Sequence, residues 1–270
     1  MIIQSAPENS PSLVIPMTDH LSLADQFAEG FGNEEFKGFS PEALMRFAVA
    51  NHDKGWEEID KGLPLDPDTG LPANLLKTPL DDLLRTGTLS ADYNEAHHPW
   101  CGLLISMHVY GLYHGRYGLS DKIVVEGLPE AVRPKFDSML EAEVERQNRL
   151  KSELTNDPEM AEFVEEATLF HYYKILQFFD TLALYFCMEH AGNRGEASFF
   201  NVPQSVGNDV TVSITPAGES TYRLAPFPFK GDALEVKLPG HFMSPQPVDT
   251  DIQKALSNTA KSLETLTLIR

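Results

Sequence analysis

The chain has 270 residues, of which 42% are hydrophobic and 23% are charged, as is typical of one large globular domain or of one domain with a smaller appendage. Forty acidic and twenty-one basic residues give a net charge of −19, which argues against a nucleic-acid polymer as partner because such a chain repels a phosphate backbone. No apolar run approaches the roughly 20 residues that span a bilayer, and Cys101 and Cys187 lie in helical patterns, so we expect a cytoplasmic protein with free thiols and no membrane contact.

The N-terminal part of the chain changes character at Thr18. Residues 1–17 contain three prolines and no sustained periodicity, which predicts an extended lead-in. Helical periodicity then runs over residues 18–31, and the N-terminal signals Ser40 and Pro41 predict a second helix that ends near Gly55. Residues 62–79 are rich in turn formers, and a loop of that length is more often functional than idle.

The rest of the chain is predicted to be helical up to about residue 190 and to contain strands after it. Helices are predicted over residues 100–113, 130–154 and 157–190. The short alternating runs DVTVSI, STYRLA and ALEVKL then indicate strands, and a helix over residues 250–263 precedes a closing strand, LTLIR. We therefore predict a mainly α fold, with a helical domain at residues 18–190 and a small β-containing region at residues 191–270 packed against it.

Ionisable residues interrupt the apolar stripes of several predicted helices. Asp180 is the most informative, because it lies at helical spacing between Leu176 and Leu184 and should enter the core. A buried, unpaired carboxylate costs several kcal/mol, so a cation, a set of hydrogen bonds or a metal ion should neutralise it. His20 and His108 lie on apolar stripes in the same way, although a single such histidine is more often a hydrogen-bonded core residue than a ligand.

Together with the adjacent pair His52 and Asp53, these residues could form a metal site, and the family resemblance given below favours that explanation over a purely structural one. His20, the adjacent pair His52 and Asp53, and Asp180 come from three separate predicted helices. Neutral imidazoles and carboxylates suit one divalent transition metal such as Mn²⁺, Fe²⁺, Co²⁺, Ni²⁺ or Zn²⁺. For Asp180 alone, a structural salt bridge explains the pattern equally well.

The order His, then His-Asp, then Asp on separate helices resembles the HD superfamily of metal-dependent phosphohydrolases and their relatives. The phrases TDHLSLADQFAEGFGN, AVANHDKGWEEID with LPLDPDTGLPANL, GLLISMHVYGLY, FFDTLALYFC and LAPFPF also resemble an uncharacterised bacterial family of unknown function related to that superfamily. The resemblance implies an HD-like helical bundle in which His20, His52, Asp53 and Asp180 bind one divalent metal. His108 matches a motif of the closer family, which implies a supporting or substrate-facing role.

The resemblance predicts a hydrolase that acts on a small phosphorylated compound through a metal-bound water. Asp53 or Glu57 would accept the proton, while Lys54 would bind a phosphate oxygen and His108 would contact the substrate. Glu57 and Lys54 are explained at least as well by a solvated helix face. We expect a small-molecule substrate and a possible homo-oligomer.

Two other functions stay open at this stage. An HD-type iron oxygenase needs ligands for a second metal, and the spacing of His114 and His171 places them on other helix faces than His108 and Asp180. A non-catalytic protein that binds a metal or a small ligand needs no further residues. His97 and His98, before the predicted helix at residue 100, are expected at the surface.

Overall fold

The computed structural model describes residues 1–7, 10–247 and 249–270. Its helices, in chain order, are α1 (Met17–Gly30), α2 (Glu42–Ala50), α3 (Trp56–Gly62), α4 (Leu80–His97), α5 (Pro99–Tyr113), α6 (Gly115–Gly118, a single turn), α7 (Arg133–Thr155), α8 (Glu166–Met188) and α9 (Ile252–Asn258). Its strands are β1 (Ile2–Ile3), β2 (Ser12–Ile15), β3 (Leu65–Asp66), β4 (Leu71–Pro72), β5 (Ala197–Ser205), β6 (Asn208–Gly218), β7 (Thr221–Ala225), β8 (Ala233–Met243) and β9 (Lys261–Ile269).

Seven strands from the described ranges form one mixed sheet in the order β1-β2-β8-β9-β7-β6-β5. Neighbouring strands are antiparallel, except β7 and β9, which are parallel. Strands β3 and β4 pair separately within the loop at residues 62–79. The last strand, β9, therefore lies near the middle of the sheet, between two strands that precede it in the chain.

The prediction of a mainly α, HD-like helical bundle with a small β-containing appendage is wrong. The chain has an α/β fold, because the seven-stranded sheet extends beyond residues 191–270 and shares its core with the helices. Residues 1–17, which we expected to be an extended lead-in, supply β1 and β2, and Val14 pairs with His241 of β8. These strands are two and four residues long, too short for their alternation to be visible in the sequence.

The predicted helices are present as α1, α2, α5, α7, α8 and α9, with shifted ends, and α9 is shorter than predicted because β9 begins at Lys261. Helices α3 and α4 were not predicted. Gly87 weakens the helical pattern of α4, since glycine is a poor helix former. Its role is close packing, because a Cβ at this position would lie 2.7 Å from Val109 Cγ1 of α5. No helix in the described ranges is both long and apolar enough to cross a membrane.

Aromatic side chains pack between α1 and α8, two helices that are far apart in the chain. Phe27 of α1 packs between Phe186 of α8 and Phe229, with ring centroids 6.2 and 5.9 Å away. Phe31 meets Phe179 at 5.3 Å. Such aromatic contacts fix the relative position of two helices, and these helices carry His20 and Asp180.

Candidate metal centre

His20 enters the site from α1, whose apolar stripe faces the core and carries the imidazole inward with it. The side chain is completely buried. Its Nδ1 atom lies 3.8 Å from Cys187 Sγ, while its Nε2 atom lies 3.4 Å from Asp180 Oδ1. The thiol, a weak donor or acceptor, therefore occupies one side of the ring and leaves Nε2 directed at the carboxylate.

His52 and Asp53 lie in the turn between α2 and α3, not on the helix that was predicted to extend to Gly55. His52 Nδ1 donates to the carbonyl of Val49 at 2.7 Å. A backbone acceptor of this kind fixes the orientation of a ligating histidine and leaves Nε2 for a metal. The amide of Gly55 donates to Ser90 Oγ of α4 at 2.9 Å, which fastens the turn in place.

Asp180 of α8 completes the cluster. Its Oδ1 atom lies 3.6 Å from His52 Nε2, and Asp53 Oδ2 lies 3.7 Å from the same nitrogen. His20, His52, Asp53 and Asp180 each offer a ligand atom, and these atoms all lie within 4.8 Å of one another. Ligands held about 2.1 Å from a common ion are separated by about 3 to 3.5 Å, so the four residues could hold a metal ion with little movement.

The carboxylates of this cluster stabilise a positive charge on His52. Complete burial lowers the pKa of His52, but the contact with Asp180 and the charges of Asp53 and Asp180 outweigh it and raise that pKa to about 9. Burial likewise raises the pKa of Asp180, but His20 and His52 hold it well below its usual range. Without a metal, a protonated His52 therefore neutralises part of the cluster's negative charge.

His108 of α5 faces the same cluster. Its Nδ1 atom lies 2.8 Å from the side-chain amide of Gln177, and its ring meets that of His52 edge to face at 5.3 Å. Burial lowers the pKa of His108 to about 4. Its Nε2 atom has no hydrogen-bond partner in the described ranges and lies 3.9 Å from Asp53 Oδ1. A buried polar atom without a partner is costly, so this nitrogen is available to a water, a substrate or an ion.

Arg116, which the sequence analysis missed, also reaches the cluster. Its Nη2 atom lies 3.6 Å from Asp180 Oδ2. His20 and His52 contact the other oxygen of this carboxylate, Oδ1. Arg116 belongs to α6, where its φ and ψ of 50° and 45° are left-handed. Three glycines within eight residues, in the run GLYHGRYG, were the available sign of such a turn.

Lys54 and Glu57, the predicted phosphate anchor and the alternative proton acceptor, are paired with each other at 2.6 Å. The hydrogen bond from Lys54 lowers the pKa of Glu57, against the effect of partial burial. Lys54 also lies 5.3 Å from the centre of the Tyr93 ring. The structure thus places both charges in an ion pair on α3 and its preceding turn, outside the four-residue cluster.

The remaining histidines named in the sequence analysis lie outside the cluster. His97 is exposed and stacks on Phe47, with ring centroids 3.5 Å apart. His98 caps α5 by accepting from the amide of Trp100. His114 packs against Tyr110, and His171 against Tyr172. Within the described residues, the structure therefore brings together one group of candidate ligands.

The family model described as "Protein of unknown function (DUF3891)" matches residues 1–244. The chain belongs to this family. No curated protein and no solved structure matches the chain. The matched range includes His20, His52, Asp53, His108, Arg116 and Asp180, so the whole candidate centre lies within the part shared with DUF3891. The relation to the HD superfamily stays a prediction, since the match names no other family.

Metal affinity of this DUF3891 protein should rise with pH. Because the pKa of His52 is about 9 before metal binds, a metal must displace one proton from it below that pH. We expect the apparent affinity for Co²⁺ to increase by about tenfold per pH unit between about pH 6.5 and about pH 8.5. Calorimetric titration in buffers of different ionisation enthalpy would count the released proton. An affinity that is constant over this range would contradict the charged state assigned to His52.

Proposed function

We propose that the protein is a divalent-metal-dependent hydrolase of a small phosphorylated compound. The observation that carries the proposal is the convergence of His20, His52, Asp53 and Asp180 from three distant segments into a cluster of mutually close ligand atoms. Two imidazoles and two carboxylates are a donor set suited to Mn²⁺, Fe²⁺, Co²⁺, Ni²⁺ or Zn²⁺. The buried Nε2 atom of His108, which has no partner in the described part of the chain, supports a ligand or substrate beside them.

The groups around the cluster suit phosphoryl transfer to water. A bound divalent ion would supply Lewis acidity, which acidifies water and polarises a phosphoryl oxygen. Asp53 is the least buried of the four, with 17% of its side chain exposed, and it would accept a proton from that water. His108 Nε2 faces Asp53 Oδ1 and would orient the attacking water or the leaving group. Arg116 would stabilise the negative charge that develops on the phosphoryl oxygens.

Charge balance favours an anionic substrate at this position. Asp53 and Asp180 contribute two negative charges and Arg116 one positive charge, so a divalent ion would leave the site with one net positive charge. The chain as a whole carries −19. A site of opposite sign to the protein around it attracts small anions, whereas the overall charge repels polyanionic polymers.

The same observations give less support to the other two functions. An iron oxygenase of the two-metal type needs a second group of ligands. The described residues form a single group of candidate ligands. A non-catalytic metal-binding protein does not need Arg116 beside the cluster. The proposal also places the protein in the cytoplasm, because its two cysteines are buried free thiols, which fits a reducing compartment.

Phosphate release from nucleoside monophosphates and small phosphate esters tests this function. Protein loaded with Mn²⁺ or Co²⁺ should release phosphate, and Asp53→Ala should reduce the rate by about 10² to 10⁴-fold, because it removes both a candidate metal ligand and the proposed general base. The matched control is Glu145→Ala, which removes an exposed carboxylate of α7 and should leave the rate unchanged. Oxygen consumption with a small alcohol or phosphonate, without phosphate release, would favour the oxygenase. Bound metal without either reaction would favour the non-catalytic function.

A further inference from the structure

A cavity of about 290 Å³ adjoins the candidate metal centre. It lies between α6 with its following loop, α8, and the start of β5. Arg116 and Gln177 line it, and the same two residues contact Asp180 and His108 of the centre. Ligand pockets of about 300 Å³ and more take small molecules, so this cavity has the size for a compound of low mass.

Strained backbone forms two walls of the cavity. Arg116 and Tyr117 have φ of 50° and 56°, and Asn201 has φ of 57°. At Asn201 the pairing of β5 with β6 shifts register, which is a β-bulge. Left-handed conformations cost about 1 to 2 kcal/mol for residues other than glycine, and they persist where surrounding structure enforces them, often at ligand sites.

Packing enforces the left-handed turn of α6. The Tyr117 ring packs against those of Tyr110 and Tyr173, at 5.4 and 5.2 Å. The amide of Ser120 donates to the carbonyl of Gly115 at 3.0 Å. A Cβ on Gly115 would lie 2.6 Å from the carbonyl oxygen of Ser120. The fold therefore holds the backbone of Arg116 in one conformation, which directs its guanidinium between the cavity and Asp180.

Among the described residues, the lining of the cavity includes one incompletely neutralised cation and one acceptor without a partner. Lys174 also lines it, but its ammonium is bound by Asp209. The Arg116 guanidinium, by contrast, lies 3.6 Å from Asp180, too far for a hydrogen bond. Within the part of the chain that the structure describes, its donors can therefore bind an oxyanion. Gln177 is 5% exposed, and its Oε1 atom has no partner in the described ranges, which leaves an acceptor for a hydroxyl or amine.

Aromatic side chains also line the cavity. The bulge in β5 presents Phe199 and Phe200, and α8 presents Phe178. Phe200 is 70% exposed, although a large apolar side chain gains by burial. An apolar or aromatic group of a ligand would cover this ring, next to the cation that binds its charged end.

We infer that this cavity binds a small organic oxyanion, with its phosphoryl or phosphonyl group at Arg116 and its apolar or aromatic body against Phe200. This inference rests on the proposed function for the reacting end of the substrate and names the class that the site accepts. An open hollow of about 800 Å³ between α4 and α7 is a poorer candidate, because its Arg146 and Arg149 are already paired with Asp92 and Glu95.

Binding of phenylphosphonate and of methylphosphonate, neither of which carries a phosphate ester bond, tests the inference in the full-length protein. Affinities are measured by calorimetry with and without Co²⁺, and Co²⁺ binding by its visible absorption. Arg116→Gly should bind both phosphonates about tenfold or more weaker and retain Co²⁺. It should also raise the melting temperature, because glycine adopts the left-handed conformation without strain. Phe200→Ala should weaken phenylphosphonate alone, and Arg85→Gln, an exposed arginine of α4, should change neither.

Two results would overturn the inference: no phenylphosphonate binding to the wild type, or equal affinity of the wild type and Arg116→Gly. Arg116→Gln serves as a second variant, which removes the charge while keeping a side chain of similar length. Failure of the proposed function looks different. If the wild type binds no Co²⁺ but binds phenylphosphonate through Arg116, the metal-dependent hydrolase is excluded and the oxyanion cavity stands.

Discussion

Protein that carries both His52→Ala and Asp180→Ala should bind no divalent metal at concentrations that saturate the wild type. These residues supply two of the four candidate ligand atoms, 3.6 Å apart. At a metal concentration 100-fold above its dissociation constant, the wild type should gain about 2.7 kcal/mol of stability, and the double variant should gain none. Elemental analysis after reconstitution with Mn²⁺, Co²⁺ or Zn²⁺, with melting temperatures before and after chelation, measures both effects.

The double substitution is preferable to either single one. Removing Asp180 alone would leave the charged His52 buried without its main partner, which destabilises a protein by several kcal/mol whether or not it binds metal. A matched control is His97→Ala with Asp121→Ala, which removes the same two residue types from exposed positions. Metal that stays bound to the cluster variant at the wild-type ratio would show that the ion binds elsewhere.

The sequence allowed the cluster to be predicted because buried charge is conspicuous and because the order of these residues resembles that of the HD superfamily. His20 and Asp180 interrupt apolar stripes of α1 and α8, and both are buried in the fold. Such residues need a partner, so separate stripes with one ionisable residue each indicate a shared site. Ionisable residues that enter the core converge even where a predicted helix end is misplaced. His52 shows this, since it lies in a turn although it was predicted on a helix.

The sheet could not be predicted in the same way, because its pairing is non-local. Leu13 of β2 pairs with Phe242, and β9 inserts between β8 and β7. Local alternation identifies individual strands but not their neighbours. In β5 even the alternation fails, because the bulge at Asn201 reverses the faces of the following residues. The number of strands was therefore underestimated, and the predicted fold class was wrong as a result.

Arg116 was missed for a related reason. Periodicity reveals residues that face a core from a regular helix or strand, whereas Arg116 reaches the centre from a left-handed turn. Lys54, beside the His-Asp pair in sequence, was the natural choice for a phosphate anchor, but Glu57 neutralises it. Proximity in sequence was misleading here, because neighbouring residues in the turn point in different directions.

Gly55→Ala should damage stability and metal binding together. A Cβ at this position would lie 2.2 Å from the carbonyl oxygen of Thr86 and 3.0 Å from the amide nitrogen of Ser90, both backbone atoms of α4. Backbone within a helix cannot rotate away, so the turn that carries His52 and Asp53 must shift. We expect a loss of about 3 kcal/mol in the free energy of unfolding. Metal affinity should fall by about 10 to 100-fold, as when the residues that support a ligand are changed.

Gly62→Ala is the matched control, because it makes the same chemical change seven residues later with nothing within 4 Å of the added Cβ. Gly62 ends α3, where alanine should stabilise the helix by about 0.5 to 1 kcal/mol. Chemical denaturation gives the two stability changes, and Co²⁺ titration gives the two affinities. Stability changes of opposite sign in Gly55→Ala and Gly62→Ala would show that close contact between the turn and α4 positions His52 and Asp53. Wild-type stability and affinity in Gly55→Ala would show instead that the ligands are held without that contact.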